Sequence, residues 1–135
     1  MLSKPKRTSR RILVADDDPV MVRVVTRILA EAGYQVVVAN DGREAYRILQ
    51  TDADFRAAIF DMKMPHLLGI DIIHYMRTEK RLMRIPVVMM SGDQNLTVQG
   101  ESFAAGATAF LLKPFTTQNV QTILHLLGDS ERVAA

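Results

Sequence analysis

Acidic, hydroxyl and basic side chains follow four short apolar runs of the sequence. Asp16 and Asp17 come after the first run, Asp61 after the third, Ser91 after the fourth and Lys113 after the fifth. If the runs are neighbouring strands of one sheet, the three carboxylates converge, and two charges 4 Å apart repel by about 4 kcal/mol at an effective dielectric constant near 20. Such a cluster raises its own pKa values, recruits a cation, or does both.

The chemistry of these groups favours a hard divalent cation beside a phosphoryl group. Carboxylate oxygens without histidine or cysteine select Mg²⁺ or Mn²⁺ over zinc. Lys113 offers a positive charge and Ser91 a hydroxyl donor for phosphoryl oxygens. Taken singly, these residues have ordinary structural interpretations, such as the helix cap expected for Asp18. Their joint occurrence at four strand ends instead favours phosphoryl transfer, which depends on charge neutralisation and in-line positioning.

The apolar runs predict the strands that position these residues. Each run is about four residues long and lacks the polar alternation of a half-exposed strand, which is typical of parallel strands covered on both faces. The five predicted strands are Ile12–Ala15, Val36–Ala39, Ala57–Phe60, Val87–Met90 and Ala109–Leu112.

Amphipathic segments between the runs predict five helices. Asp18 and Pro19 suit the N-cap and first residue of a helix that ends at Gly33. Gly100 interrupts the fourth helix at a cost of about 1 kcal/mol relative to alanine. The remaining helices are predicted around residues 45–49, 69–79, 95–105 and 116–128. Alternating strands and helices predict an α/β fold, a (βα)5 doubly wound parallel sheet.

Composition restricts the class of protein. A chain of 135 residues suits one domain, and the absence of cysteine excludes disulfides, cysteine nucleophiles and zinc–thiolate sites. No apolar stretch approaches the ~20 residues of a membrane span. These features predict a cytoplasmic protein.

The charge is concentrated at the amino terminus. Residues 1–11 contain five basic residues and no acid, whereas the other 124 carry 12 basic and 15 acidic residues. We interpret residues 1–10 as a basic tail that either contacts an anionic partner or only adds solubility, and the second interpretation is favoured. The tail is too short and too poor in aromatics for strong nucleic-acid binding. Residues 129–135 are expected to fray.

Four stretches together resemble the receiver domain of bacterial two-component response regulators, in particular stand-alone receivers of the chemotaxis type. Each stretch alone is a weak signal, but their order and spacing are specific, and the resemblance covers residues 11–128. It implies a flavodoxin-like sheet with strand order 2-1-3-4-5. The stretches are ILVADDDP (12–19), AIFDMKMPHLLG (58–69), VVMMSGD (87–93) and AFLLKPF (109–115).

The resemblance implies roles for the acidic residues. Asp61 corresponds to the phosphoacceptor and a ligand of Mg²⁺, with Mn²⁺ as a substitute. Asp17 corresponds to a direct metal ligand, Asp16 to a ligand acting largely through water, and the backbone carbonyl of Lys63 to a further ligand. The donor would be a sensor histidine kinase or a histidine phosphotransfer protein, and the chain would be a signalling phosphoacceptor rather than an enzyme.

The resemblance also implies a switch. Ser91 corresponds to the hydroxyl that moves toward the acyl phosphate, and Lys113 to the lysine that neutralises it, with a cis bond before Pro114. Phe110 occupies the aromatic switch position. The downstream protein would bind the surface of the fourth helix, fifth strand and fifth helix, while nucleic acid is not an expected partner.

Some residues depart from the family pattern. Leu67 and Leu68 replace a more usual Met-Asp pair, and this apolar surface either packs within the loop or contacts a partner. Lys63 and Asp93 flank the expected path of water, so we hypothesise that they pair and slow dephosphorylation. The three histidines are expected to have surface or interface roles: His66, His74 and His125.

Two other functions compete with this interpretation. Asp16, Asp18 and Val20 match the D-x-D-x-V nucleophile motif of haloacid-dehalogenase-type phosphatases, but that interpretation leaves Asp61 unexplained and lacks the later acidic pair of those enzymes. A receiver-like binding module that no longer takes phosphate is the second alternative. The intact set of acidic, hydroxyl and lysine residues argues against it.

Overall fold

Five parallel strands form one sheet in the order β2-β1-β3-β4-β5. The computed structural model describes residues 9–129. The predicted tail therefore lies outside the described residues except for its last two, and the predicted frayed end except for Asp129. The strands are β1 (Arg11–Ala15), β2 (Gln35–Ala39), β3 (Ala57–Asp61), β4 (Val87–Ser91) and β5 (Ala109–Leu112). The predicted fold and strand order are confirmed.

Four helices connect the strands and a fifth follows β5, and most of the five begin at side-chain caps. Asp18 accepts a hydrogen bond from the Val20 N–H, as predicted, and Asp41, Asn95 and Thr116 cap later helices. A π-helical turn, His125–Asp129, follows the last helix. The helices are α1 (Pro19–Glu31), α2 (Gly42–Thr51), α3 (Gly69–Thr78), α4 (Leu96–Ala105) and α5 (Thr117–Leu124).

The sheet separates two apolar cores. Successive strand residues point to opposite faces, so Ile12 and Val14 pack with α1 and α5, whereas Leu13 and Ala15 pack with α2, α3 and α4. Burial of a side chain such as the fully buried Phe60 contributes about 1.5–3 kcal/mol. Both faces are covered, which explains why the strands are apolar throughout.

Helix α4 has an unusual distribution of apolar residues. It buries Ser102 and Ala105, whereas Leu96 is 78% exposed and Phe103 is 48% exposed. The Ser102 hydroxyl lies 3.0 Å from the Val98 carbonyl and 3.4 Å from the Met62 sulfur. Since small and polar residues form its inner face, its sequence shows no clear apolar stripe.

Arginines stabilise the end of the molecule opposite the carboxyl ends of the strands. Arg10 donates to the Ala32 carbonyl after α1, Arg77 to the Gly106 carbonyl after α4, and Arg81 to a carbonyl near the end of α2. These cations offset the partial negative charge of helix C-termini. Within the described residues, no helix is long and apolar enough to span a membrane.

Candidate functional site

Three carboxylates meet where β1 and β3 end. Asp61 is the last residue of β3, and Asp16 and Asp17 directly follow β1, so parallel pairing brings them to the same edge of the sheet. One oxygen from each carboxylate lies within 4.8 Å of the other two. Asp16 is 1% exposed and Asp61 9% exposed, whereas Asp17 faces solvent. The structure thus forms the cluster that the sequence predicts.

Lys113 lies inside this cluster. It follows β5, and its ammonium Nζ is 3.0 Å from Asp61 Oδ1 and 3.2 Å from Asp16 Oδ2. Asp16 also accepts a hydrogen bond of 3.0 Å from the Asp18 N–H, which fixes its carboxylate. The bond between Lys113 and Pro114 is cis, as predicted. One lysine therefore compensates two nearly buried acids.

Burial and charge shift the pKa values of this pair. Burial raises the pKa of Asp61, the hydrogen bond from Lys113 opposes that effect, and repulsion from Asp16 adds to it, so the pKa remains raised. Burial alone would lower the pKa of Lys113, but its hydrogen bond and charge interaction with Asp61 raise the pKa overall. The lysine is an ammonium group at neutral pH, but its charge does not fully balance the negative charge of ionised Asp61 beside Asp16. An added cation would supply the missing positive charge.

A cavity of about 490 Å³ opens beside Asp61. Ser91, the last residue of β4, is nearly buried there, and its hydroxyl accepts a 3.0 Å hydrogen bond from the Asp93 N–H. Lys63 and Asp93 line the same cavity, but no ion pair joins them among the described residues. The predicted flanking positions are present, whereas the hypothesised pair is not formed in this state. The full lining consists of Asp61, Lys63, Ser91, Gly92, Asp93 and Lys113.

Gly69 permits the close packing behind Asp61, and this role was not predicted from the sequence. A Cβ atom at Gly69 would lie 2.7 Å from the Asp61 carbonyl oxygen and 2.8 Å from Met89 Sδ. The Gly69 N–H donates to the Met62 carbonyl at 3.1 Å, which ties the start of α3 to the end of β3. The only sequence signal was a glycine where a helix begins.

Other predicted positions lie around this site. Phe110 is partly buried and packs on the face of the sheet that α4 covers. Leu67 packs against the same core, as the interpretation of loop packing requires. Leu68 is half exposed, which leaves its side chain accessible to a partner. All three histidines are exposed: His66, His74 and His125.

Comparison with known proteins gives a consistent family. The response regulator receiver domain model matches residues 12–125. Chemotaxis protein CheY1 of Helicobacter pylori is 31% identical over 123 residues, covering 90% of this chain and 99% of that protein. The structure of CheY4 of Vibrio cholerae matches with a TM-score of 0.82 and 30% identity, covering 89% of this chain and 99% of that chain.

A further solved structure is informative about metals. The receiver domain of the sensor histidine kinase PA1611 from Pseudomonas aeruginosa PAO1, determined with a magnesium ion in its active-site cleft, matches with a TM-score of 0.81 and 26% identity. The match covers 90% of this chain and 100% of that chain. Because the family model spans nearly the whole chain and the fold agrees, this protein belongs to the response regulator receiver domains, whose general function is phosphorelay signalling.

Proposed function

We propose that Asp61 accepts a phosphoryl group from a phosphohistidine on a sensor histidine kinase or histidine phosphotransfer protein. The observation that carries this proposal is the position of Lys113, whose ammonium group bridges Asp61 and Asp16 at the edge of an open cavity. A phosphoryl group on Asp61 would find a cation and a hydroxyl group beside it. The proposal places the chain in the cytoplasm, as the sequence predicts.

The residues present fit a magnesium ion. Asp16, Asp17 and Asp61 offer three hard oxygen ligands within 4.8 Å of one another, without nitrogen or sulfur ligands, and Mn²⁺ suits the same set. The backbone carbonyl of Lys63 would complete the protein ligands. When bound, Mg²⁺ supplies positive charge that neutralises phosphoryl oxygens.

The proposed reaction moves one phosphoryl group without an external redox reagent. An Asp61 carboxylate oxygen attacks phosphorus, the P–N bond to the donor imidazole breaks, and the imidazole nitrogen keeps the electron pair and takes a proton from solvent. Lys113 donates to the transferred group and orients the attacking carboxylate. Water later attacks phosphorus, which restores the carboxylate and releases inorganic phosphate.

The proposed output is a changed protein-binding surface. Ser91 would turn toward the acyl phosphate, and Phe110 would move into the space that it leaves, which shifts the population of two conformations. Leu96 and Phe103 already expose apolar surface on α4, and a groove of about 430 Å³ lies between β5 and α5. We therefore assign the downstream protein contact to the α4–β5–α5 face.

The two competing functions differ in what they require of Asp61. A haloacid-dehalogenase-type phosphatase would use Asp16 as nucleophile, but Asp16 is nearly buried and is held by both Lys113 and the Asp18 N–H. A binding module that takes no phosphate would have no use for the cavity beside Asp61. Neither alternative explains the bridging lysine as well as phosphoryl acceptance does.

The test is phosphorylation with Mg²⁺ and acetyl phosphate, followed by peptide mass spectrometry. We expect one label on Asp61, which EDTA and Asp61→Asn abolish, whereas Asp54→Asn at the opposite end leaves it unchanged. A label on Asp16 that persists in D61N would favour the phosphatase. The absence of any label, from acetyl phosphate or from a phosphorylated kinase, would favour the binding module.

A further inference from the structure

We infer that the first turn of α2 positions the β3–α3 loop (residues 62–68) and thereby sets the metal affinity of the site. This inference rests on the proposed function, because the loop carries the backbone carbonyl of Lys63. No residue of α2 belongs to the carboxylate cluster or lines the cavity beside Asp61. Any effect of α2 on the metal would therefore act through the loop.

The loop is closed at its base by a backbone hydrogen bond and is anchored in the core by Met62, Met64 and Leu67. The Gly69 N–H donates to the Met62 carbonyl, and the Leu67 N–H donates to the Pro65 carbonyl at 2.9 Å. The Met64 side chain is buried among the residues beneath the sheet. Since the loop is short and bonded to itself, a displacement at Leu67 is transmitted toward Lys63.

Gly42 lies directly against the loop. A Cβ atom there would overlap the carbonyl oxygen of Leu67 and would lie 2.7 Å from Leu67 Cβ. Gly42 is buried at the first position of α2, and the cap of that helix holds it, because Asp41 accepts a 2.8 Å hydrogen bond from the Glu44 N–H. The helix cannot retreat easily, so any side chain at Gly42 must push the loop.

Arg43 provides a second and independent contact. Its guanidinium Nη2 lies 3.1 Å from Nδ1 of His66, and because arginine can only donate, that ring nitrogen is the acceptor. His66 has a φ of +74°, a left-handed conformation that residues with a Cβ rarely adopt. The arginine therefore holds the loop at its least favourable backbone position.

The test compares two glycines that both lie in helices. We expect Gly42→Ala to weaken Mg²⁺ binding about ten- to a hundredfold, the usual effect of disturbing groups that orient metal ligands. Gly100→Ala is the matched control, because a Cβ there meets nothing within 4 Å. Isothermal titration calorimetry measures Mg²⁺ affinity, and urea unfolding in EDTA measures stability separately. A purely structural role would lower the stability of G42A and leave the Mg²⁺ affinity of its folded state unchanged, which would overturn the inference.

Arg43→Ala keeps the inference testable if G42A does not fold. Arg43 is exposed, and loss of its hydrogen bond should weaken Mg²⁺ binding about two- to tenfold. Arg47→Ala, at an exposed position one turn later on α2, should bind Mg²⁺ like the wild type. Equal affinity in R43A and R47A would refute the positioning role. Failure of the wild type itself to bind Mg²⁺ would instead refute the proposed function.

Discussion

Replacing Lys113 by methionine should destabilise the metal-free protein by about 3 kcal/mol at neutral pH. The substitution keeps a similar chain length and removes only the charge that joins Asp16 to Asp61. Both carboxylates are nearly buried, so the variant leaves them close together without their ammonium partner. The expected loss is therefore the cost of stranded buried charge.

The distances set the size of this effect. At an effective dielectric constant near 20, an ammonium group 3.0 Å from one carboxylate and 3.2 Å from another attracts each by about 5 kcal/mol. Desolvation of the ammonium offsets several kcal/mol of that attraction, and broken buried pairs cost about 3–5 kcal/mol. We expect the lower end because Asp61, whose pKa is already raised, can take up a proton in the variant.

The assay is urea unfolding followed by far-ultraviolet circular dichroism in EDTA. The raised pKa of Lys113 means that its stabilising charge is fully present below its ordinary value of 10.5 and is lost only as pH rises through the folded-state value. The difference between wild type and K113M should therefore be complete at neutral pH. It should shrink in acid, because Asp61 protonates, and with Mg²⁺, because a cation replaces the ammonium.

The control is Lys80→Met, at an exposed position with no ion pair among the described contacts. We expect K80M to change stability by less than about 0.5 kcal/mol. Equal losses in K113M and K80M would refute the bridging role of Lys113. A loss in K113M that neither acid nor Mg²⁺ reduces would show that the damage is to packing and not to charge balance.

The candidate site and an ion pair at the opposite end of the sheet lead to three other expected results. Asp61→Asn should stabilise the metal-free protein near neutral pH, because burial raises the pKa of Asp61. The wild type should gain stability as pH falls through that raised value, whereas D61N should not. Urea unfolding across pH measures this difference. Asp52→Asn should lower the free energy of unfolding by about 1 kcal/mol at neutral pH, because it removes the ion pair with Arg11. Since Arg11 lowers the pKa of Asp52, thermal unfolding should show this loss disappear as pH falls through the lowered value. Lys63 lines the cavity from which water would reach phosphorylated Asp61, so Lys63→Ala should shorten the lifetime of the acyl phosphate, measured by loss of the mass label.

Each of these results has an opposite that counts against its reasoning. A D61N variant with the same pH dependence as the wild type would mean that Asp61 ionises without penalty. A D52N deficit that persists in acid would assign the loss to shape and not to the ion pair. A label on K63A that lasts as long as that on Lys80→Ala would refute a role of the Lys63 side chain in slowing dephosphorylation.

Strand positions and site residues could be predicted because they depend on local pattern. Each strand has an apolar run that faces both sides of the sheet. The residue at the end of a parallel strand lies at the carboxyl edge of the sheet whatever its side chain. The convergence of Asp16, Asp61 and Lys113 can therefore be predicted without knowing their contacts. Helix α4 was harder to predict because it buries Ser102 and exposes Leu96. That distribution reflects the surface that β5 and α3 offer to α4, which cannot be read from the sequence of α4 alone.

Contacts between distant segments were beyond sequence reasoning. The approach of Gly42 to Leu67 depends on where the start of α2 passes the β3–α3 loop in space. Arginine contacts with helix ends depend on tertiary placement in the same way, since Arg77 reaches a carbonyl 29 residues away. The pairing of Lys63 with Asp93 was predicted from their sequence positions beside the expected path of water, and lining the same cavity did not produce an ion pair.

The cation and the two acids that it joins are far apart along the chain. Lys113 is 97 residues from Asp16 and 52 from Asp61. A ribosome that has made the first four strands has therefore produced both acids but not their ammonium partner. Under the proposed function, the site gains the charge that would neutralise a phosphoryl group on Asp61 only after β5 has been synthesised and has docked on the sheet.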